Sequence, residues 1–260
     1  MKDIIKIPFK WNRIFRKEVI RLLSKKNVIN RKFFDLENLH KTVDMKLFDY
    51  VVTEKGNELQ SMFYETDSKF MSTYHKFLSE LHDYLKFDFY FQSTPTMRFH
   101  APKSKNENRF PEFHSDMGYG HPPQEINIWF SLTKNKHSNF YIIDKEKSNK
   151  WVDDYDSDYK KFTEVSYNSN DKSFNEKGFS LAKEVESTID DIFLFNSECI
   201  HTAVPRKEET RVSIDVRINP VDKFVDGYVG AGNMNAEFRP GGRFGYNKKS
   251  IRELYENNRI

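Results

Sequence analysis

The eight residues Glu125-Ile126-Asn127-Ile128-Trp129-Phe130-Ser131-Leu132 decide the fold. Ile126, Ile128, Phe130 and Leu132 alternate with Asn127, Trp129 and Ser131, the period of two that gives a β-strand two unlike faces. The apolar face needs cover; the other face meets either water, the commoner case for a half-buried strand, or the inside of a barrel. Further short β-rich runs divided by turn residues surround it: Phe87–Gln92, Thr96–Ala101, Phe140–Ile143, Asp191–Phe195 and Arg211–Ile218. Upstream the period is helical. Trp11–Lys26 places Ile14, Val19, Leu22 and Leu23 among Arg and Lys, the pattern of a basic amphipathic surface helix. Asn57–Leu85 carries Leu59, Met62, Phe63, Phe70, Tyr74, Leu78, Leu81 and Leu85 with no Pro or Gly, which predicts one long supporting helix.

Helices followed by strands, without β/α alternation, predict an α+β chain that is mainly β: a jelly roll or sandwich with N-terminal helices packed on one sheet. We expect a single domain over 1–260, with helical support in 1–86 and a β core in 87–220. A polar insertion occupies 144–178, and 221–260 is an irregular, glycine-rich wrap. The insertion holds Trp151, Tyr155, Tyr159, Phe162 and Tyr167 amid Asp, Ser, Asn and Lys, and reads equally as a substrate-contacting lid or as a solvated piece with its own aromatic cluster. Six of the ten glycines fall in 227–245, where Gly230-Ala231-Gly232 lacks the third glycine and the strand–turn–helix context of a dinucleotide fingerprint.

Composition narrows the function classes. Lys+Arg 42 against Asp+Glu 39 leaves a net charge of only +3, too small a surplus to make a phosphate backbone the default partner. The 24 Phe among 15% aromatic residues exclude a disordered chain. Cys199 is the one cysteine, so no intramolecular disulfide forms, which suits a reducing compartment. Met1–Lys10 offers only short apolar runs, far below a signal peptide or membrane span. The expectation is a soluble cytoplasmic protein with a small-molecule substrate, no nucleic-acid or membrane partner, and an oligomeric state the sequence does not disclose.

His114-Ser115-Asp116 is the first chemical candidate, because residues i and i+2 of a strand share a face and can share a metal ion. Alone it carries little, since chance supplies about 0.6 such triplets in a chain of this composition. The distal His201, and Arg211 ten residues after it, change the weight. Two imidazoles and one carboxylate occupy one face of an octahedral ion and leave three positions open, the arrangement of non-haem Fe(II) oxygenases. Arg211 adds a fixed bidentate cation for a carboxylate brought in by a cosubstrate. Cys199, two residues before His201, reads as a buried inert thiol, and the absence of a His-x-His argues against a cupin-type metal site.

His114–Trp129, Phe195–His201 and Thr210–Arg217 together resemble the Fe(II)/2-oxoglutarate-dependent oxygenases. The nearest likeness is to the group found in bacterial carbohydrate-biosynthesis clusters, including the streptomycin-cluster member, with the phytanoyl-CoA hydroxylase type more distant. The motifs run from Thr96 to Pro220. The resemblance implies a double-stranded β-helix, iron held by His114, Asp116 and His201, and 2-oxoglutarate chelating that iron through its keto-acid end. Its distal carboxylate would rest on Arg211, helped by Ser213, and Asn127 would donate to a carboxylate of the cosubstrate. Arg217 is the rival anchor; otherwise it contacts substrate or pairs with Asp215. Arg98, Tyr119, His121 and Trp129 are the remaining candidates for substrate contact, with His100 beside them. The implied reaction consumes O2, releases succinate and CO2, and hydroxylates a C–H bond of a small polar substrate. By the likeness this would be a sugar, sugar nucleotide or glycan intermediate, with an amino-acid or natural-product scaffold as the next choice. Related halogenases lack the carboxylate ligand, so Asp116 argues against halogenation. The rival from another class is a non-catalytic jelly-roll binding module.

Overall fold

The computed structural model describes residues 4–30, 32, 35–51, 56–102, 113–134, 140–168, 172–186, 189–204, 208–224, 246–247 and 249–256. In chain order the elements are β1 (Ile4–Pro8), α1 (Trp11–Lys25), β2 (Tyr50–Val51), β3 (Gly56–Asn57), α2 (Glu58–Ser61), α3 (Ser68–Leu85), β4 (Phe89–Phe91) and β5 (Thr96–His100). They continue with β6 (Ile126–Ser131), β7 (Phe140–Ile142), α4 (Lys145–Asp153), α5 (Tyr159–Asn168), α6 (Lys172–Leu181), β8 (Lys183–Glu184), β9 (Asp191–Asn196), β10 (His201–Ala203), β11 (Arg211–Pro220) and α7 (Ile251–Glu256). Among these residues no helix is long and apolar enough to cross a membrane.

The pairing is antiparallel throughout. A six-stranded sheet runs β1-β9-β6-β11-β4, with β5 also paired to β11, and a three-stranded sheet runs β10-β7-β8. The ten-residue β11 accommodates two partners on one edge: Arg211–Asp215 pairs with β5 and Ile218–Pro220 with β4. The alternation read in Glu125–Leu132 sorts the layers. Ile126, Ile128 and Phe130 join Val212, Ile214, Val216 and Ile218 on the face covered by α1 and α3, where Phe15, Phe70 and Phe77 pack. Trp129, Phe193 and Phe195 lie on the opposite face and meet Phe140 and Ile142 of the small sheet. Each such ring taken fully out of water contributes about 1.5–3 kcal/mol, so a one-residue register slip, which would exchange the two faces, is strongly disfavoured.

Several elements differ from the sequence reading. Ile4–Pro8 is a strand on the edge of the large sheet, in register with Asp191–Phe195. In α1 the buried stripe is Trp11, Phe15, Val19, Leu22 and Leu23, and Ile14 is 42% exposed. Buried Asn12 donates to the carbonyls of Ser131 and Asp191, which fastens this helix to β6 and β9. The predicted single helix over Asn57–Leu85 is two, because two side chains each start one. The Asn57 side-chain Oδ1 accepts from Gln60 N–H at 2.9 Å, and the Asp67 carboxylate accepts from Phe70 N–H at 3.0 Å. The insertion is not loop: α4, α5 and α6 fill it and bury Trp151, Phe162 and Phe174 with Phe113, Ile143 and Ile200. The side chain of Tyr167 and the whole glycine-rich stretch 227–245 lie outside the described residues. Beyond them the wrap ends in a short helix, α7, rather than irregular chain.

Asp67 also receives both Arg21 Nη atoms at 2.7 Å and Lys25 Nζ at 3.0 Å, so it links α1 to the start of α3. The Arg21 guanidinium holds its carboxyl below the usual carboxylate range. A depressed folded-state pKa contributes stability above the unfolded pKa, near 4, that is lost as the pH falls toward the folded value. Asp67→Ala should therefore lower stability at pH 7 by about 1–2 kcal/mol. In urea unfolding the gap to the wild type should narrow from pH 5 to pH 2.5.

Candidate metal centre

His114 and His201 meet through the backbone. The His114 N–H donates to the His201 carbonyl at 3.0 Å and the His201 N–H returns to the His114 carbonyl at 2.8 Å, an isolated antiparallel bridge. Directly opposed residues of such a pair lie side by side, and the two imidazole centroids are 4.5 Å apart. His201 Nδ1–H donates to the Cys199 carbonyl at 3.0 Å, which leaves Nε2 as its acceptor nitrogen.

Asp116 does not reach the pair by strand alternation, as the sequence reading assumed. It opens a 3-10 turn, Asp116–Tyr119. The Ser115 hydroxyl sets that turn by donating to the Ser197 carbonyl at 2.7 Å and accepting from Met117 N–H at 3.2 Å. Gly120 closes it at φ 93°, a left-handed conformation that a side chain would strain. Ligand atoms of His114, Asp116 and His201 then all lie within 4.8 Å of one another. Burial disfavours charge on Asp116, but Arg217 and the imidazoles of His121, His201 and His114 outweigh it, so the carboxyl is held well below the usual range. An ionised carboxylate beside two imidazoles is a donor set suited to a divalent first-row metal.

The helical insertion backs both ligand segments. Phe113, just before His114, and Ile200, just before His201, are buried in its aromatic cluster. Ser148 of α4 donates its hydroxyl to the Ile143 carbonyl and accepts from Ile200 N–H at 2.9 Å, and the Ser166 hydroxyl donates to the Phe113 carbonyl. At Gly118 a Cβ would meet the side chain of Thr163 and, at 2.6 Å, the carbonyl of Tyr159.

The other candidates divide along β11. Arg211, 1% exposed, stands opposite His100; Ser213 stands between Arg98 and Ser131; Arg217 stands opposite Asn127. Ser213 Oγ and Asn127 Nδ2 are buried with no hydrogen-bond partner among the described residues. Six strand residues separate the levels of Arg211 and Asn127, about 20 Å of backbone, so the two do not serve one carboxylate. Arg217 Nη2 lies 3.3 Å from Asp116 Oδ2 and Nε lies 3.5 Å from Glu125, and Asp215 is paired instead with Arg98 at 2.7 Å. The expected Arg217–Asp215 pair is thus replaced by two others. Burial, with Arg211 and Arg98 nearby, pushes His100 well below the ordinary imidazole pKa, so it is neutral. Tyr119 sets its ring edge-on to His114 at 5.5 Å. Trp129 stacks on Phe140 at 4.7 Å and 10°, and His121, 3% exposed, bonds Glu125 at 2.6 Å; both are committed to packing and pairing inside the protein. Cys199 is buried, as expected.

Sequence reading missed Glu125, Tyr246 and the insertion helices as parts of the site. Glu125 was within reach, since it has the parity of Asn127 and Trp129. Tyr246 follows the glycine-rich stretch and carries no pattern.

No family model and no curated protein matches the chain. Solved structures do. EctD from S. alaskensis in its apoform aligns over 96% of this chain and 82% of its own, with 12% identity and a TM-score of 0.51. The epimerase SnoN, in complex with Fe3+, alpha ketoglutarate and nogalamycin RO, aligns over 92% of this chain and 86% of its own, with 11% identity and a TM-score of 0.50. This chain has their fold. At such identities the likeness concerns the fold alone.

The Gly118 packing is open to a direct check. Gly118→Ala should cost about 1–3 kcal/mol by overpacking, because the backbone carbonyl of Tyr159 cannot give way as a side chain would. Thermal unfolding of the metal-free protein reads the loss, and an unchanged Tm would show that α5 is not seated on the Asp116 turn.

Proposed function

We propose that the chain is a non-haem Fe(II)/2-oxoglutarate-dependent oxygenase of the double-stranded β-helix type, forming one domain over 1–260. The observation that carries this reading is the convergence of His114, Asp116 and His201 within 4.8 Å. Three protein ligands on one side of the metal leave room for a chelating cosubstrate and O2. A bound iron would supply the hard chemistry: with 2-oxoglutarate and O2 it oxidises an unactivated C–H bond as the cosubstrate is converted to succinate and CO2.

The chain's own part is orientation and exclusion of water. His201 is turned by the Cys199 carbonyl, and Asp116 is fixed by its turn and by Arg217. Arg211 and Ser213 hold the distal carboxylate of 2-oxoglutarate: one is a buried guanidinium, the other a buried hydroxyl awaiting a partner. Arg217 is engaged with Asp116 and Glu125, so the anchor role falls to Arg211. Asn127, level with Arg217 and about 20 Å of backbone from Arg211, is too far from that anchor to share a five-carbon ligand with it and is a candidate polar contact on the Asp116 side instead. Trp129, Phe140 and Phe195 wall the space behind His201 and keep it dry. Tyr119 and Arg98 are the nearest candidates to touch a substrate, and His121 acts through Glu125 instead.

For substrate we propose a small polar molecule. A sugar, sugar nucleotide or glycan intermediate rests on the sequence likeness alone. A natural-product scaffold has the additional support that SnoN, an epimerase, was seen with nogalamycin RO. The same neighbour makes epimerisation an alternative outcome to hydroxylation at one metal site.

Anaerobic titration of the apo-protein with Fe(II) and then 2-oxoglutarate tests the reading. A visible charge-transfer band should need both components, and Asp116→Ala should keep its fold and lose substrate-coupled hydroxylation. Arg211→Ala should keep Fe(II) and bind 2-oxoglutarate about a hundredfold more weakly, the loss expected for about 2.7 kcal/mol. No band in the wild type would move the weight to a binding module.

A further inference from the structure

Glu125 is fully buried. Its carboxylate accepts from His121 Nδ1–H at 2.6 Å and from the Tyr246 hydroxyl, and lies 3.5 Å from Arg217 Nε. The other end of that guanidinium reaches Asp116 Oδ2 at 3.3 Å, and the His121 backbone N–H donates to the Asp116 carbonyl at 3.2 Å. Tyr246 comes from the far C-terminal segment, pinned by a β-bridge to Gln92 and by Asn247 N–H donating to the Phe91 carbonyl at 2.7 Å.

Two buried carboxylates are thus joined by one guanidinium. Ligand atoms of Asp116, His121 and Glu125 also lie within 4.8 Å of one another, but Arg217 occupies this acidic pair, which argues against a second cation there. A guanidinium held on Oδ2 restricts the orientation of the Asp116 carboxylate beside the two imidazoles.

We propose that Glu125 and Tyr246 are positioning residues: they hold Arg217 against Asp116 Oδ2, which would fix the carboxylate beside His114 and His201, so that the C-terminal segment helps set metal affinity. The inference rests on the iron-site reading above and concerns two residues outside the His114, Asp116 and His201 set. Tyr246→Phe keeps the ring and removes only the hydroxyl; Glu125→Gln keeps the shape and removes the charge.

The experiment is an anaerobic Co(II) titration of the full-length apo-protein, followed by absorption spectroscopy, with the Tm of each metal-free variant measured alongside. Both variants should bind Co(II) about 10- to 100-fold more weakly, with shifted ligand-field bands. Arg217→Lys, which keeps the charge but cannot span both carboxylates, should do the same. Wild-type affinity and an unchanged spectrum in Tyr246→Phe, even with a lowered Tm, would overturn the proposal and leave the network merely structural. Should Glu125→Gln fail to fold, Tyr246→Phe decides. The two readings separate in the controls: wild-type protein that binds no Co(II), or a His114→Ala variant that binds it like the wild type, would sink the iron site itself.

Discussion

The reciprocal backbone pair between His114 and His201 is the constraint on which the site depends. Two hydrogen bonds contribute only about 1 kcal/mol each, too little to bring distant segments together against chain entropy. What holds them is on either side. Phe113 and Ile200 sink into the aromatic cluster of the insertion, and His201 opens β10, paired to β7 against the large sheet. A backbone bridge sustained by two cores places neighbouring imidazoles more firmly than side-chain contacts alone would. The insertion is therefore support for the ligand segments. Of the two readings the sequence left open, its own buried aromatic cluster is the one the packing supports.

The interior polar face follows from the same economy of the strand. A period of two that sends Val212, Ile214, Val216 and Ile218 to the helices must send Arg211, Ser213, Asp215 and Arg217 the other way. Charges buried on that face are costly unless matched; Asp215 is matched by Arg98 across the strands, and Arg217 by Asp116 and Glu125. Ser213 Oγ and Asn127 Nδ2 are among the buried polar atoms left with hydrogen-bonding capacity among the described residues.

Much of this was legible beforehand where a short-range period carries it. The strands from Thr96 to Ile218 and the helix α1 follow from alternation and helical spacing, and every strand of the sequence reading lies within a few residues of its place. The triplet His114-Ser115-Asp116 was legible as a motif, but its geometry was not, because Asp116 is placed by a turn that Ser115 and Gly120 build. Capping side chains likewise broke the expected helix at Asp67, since periodicity records apolar faces and is blind to a carboxylate that competes for backbone N–H groups. The helices of the insertion were hidden by their polar outer faces. Ile4–Pro8 was hidden by being an edge strand, whose pattern is too short to read. Tyr246 was beyond reach, because its position depends on pairing with Gln92 rather than on its neighbours.

The layout of β11 argues that one strand sets both ends of the site. Its first inward residues, Arg211 and Ser213, stand far from the metal ligands along the strand, whereas Arg217 touches Asp116 directly. A strand hydrogen-bonded on both edges is among the stiffest elements a small fold offers, so the spacing between these two ends is fixed by backbone geometry rather than by flexible side chains. That stiffness separates two jobs that would otherwise compete for a guanidinium. Arg217 neutralises the buried carboxylates of Asp116 and Glu125, whereas in the function proposed above Arg211 would meet a carboxylate arriving from solution. With those roles exchanged, the charge that keeps Asp116 ionised would also have to bind and release that ligand. Two arginines of one parity on one rigid strand avoid that conflict.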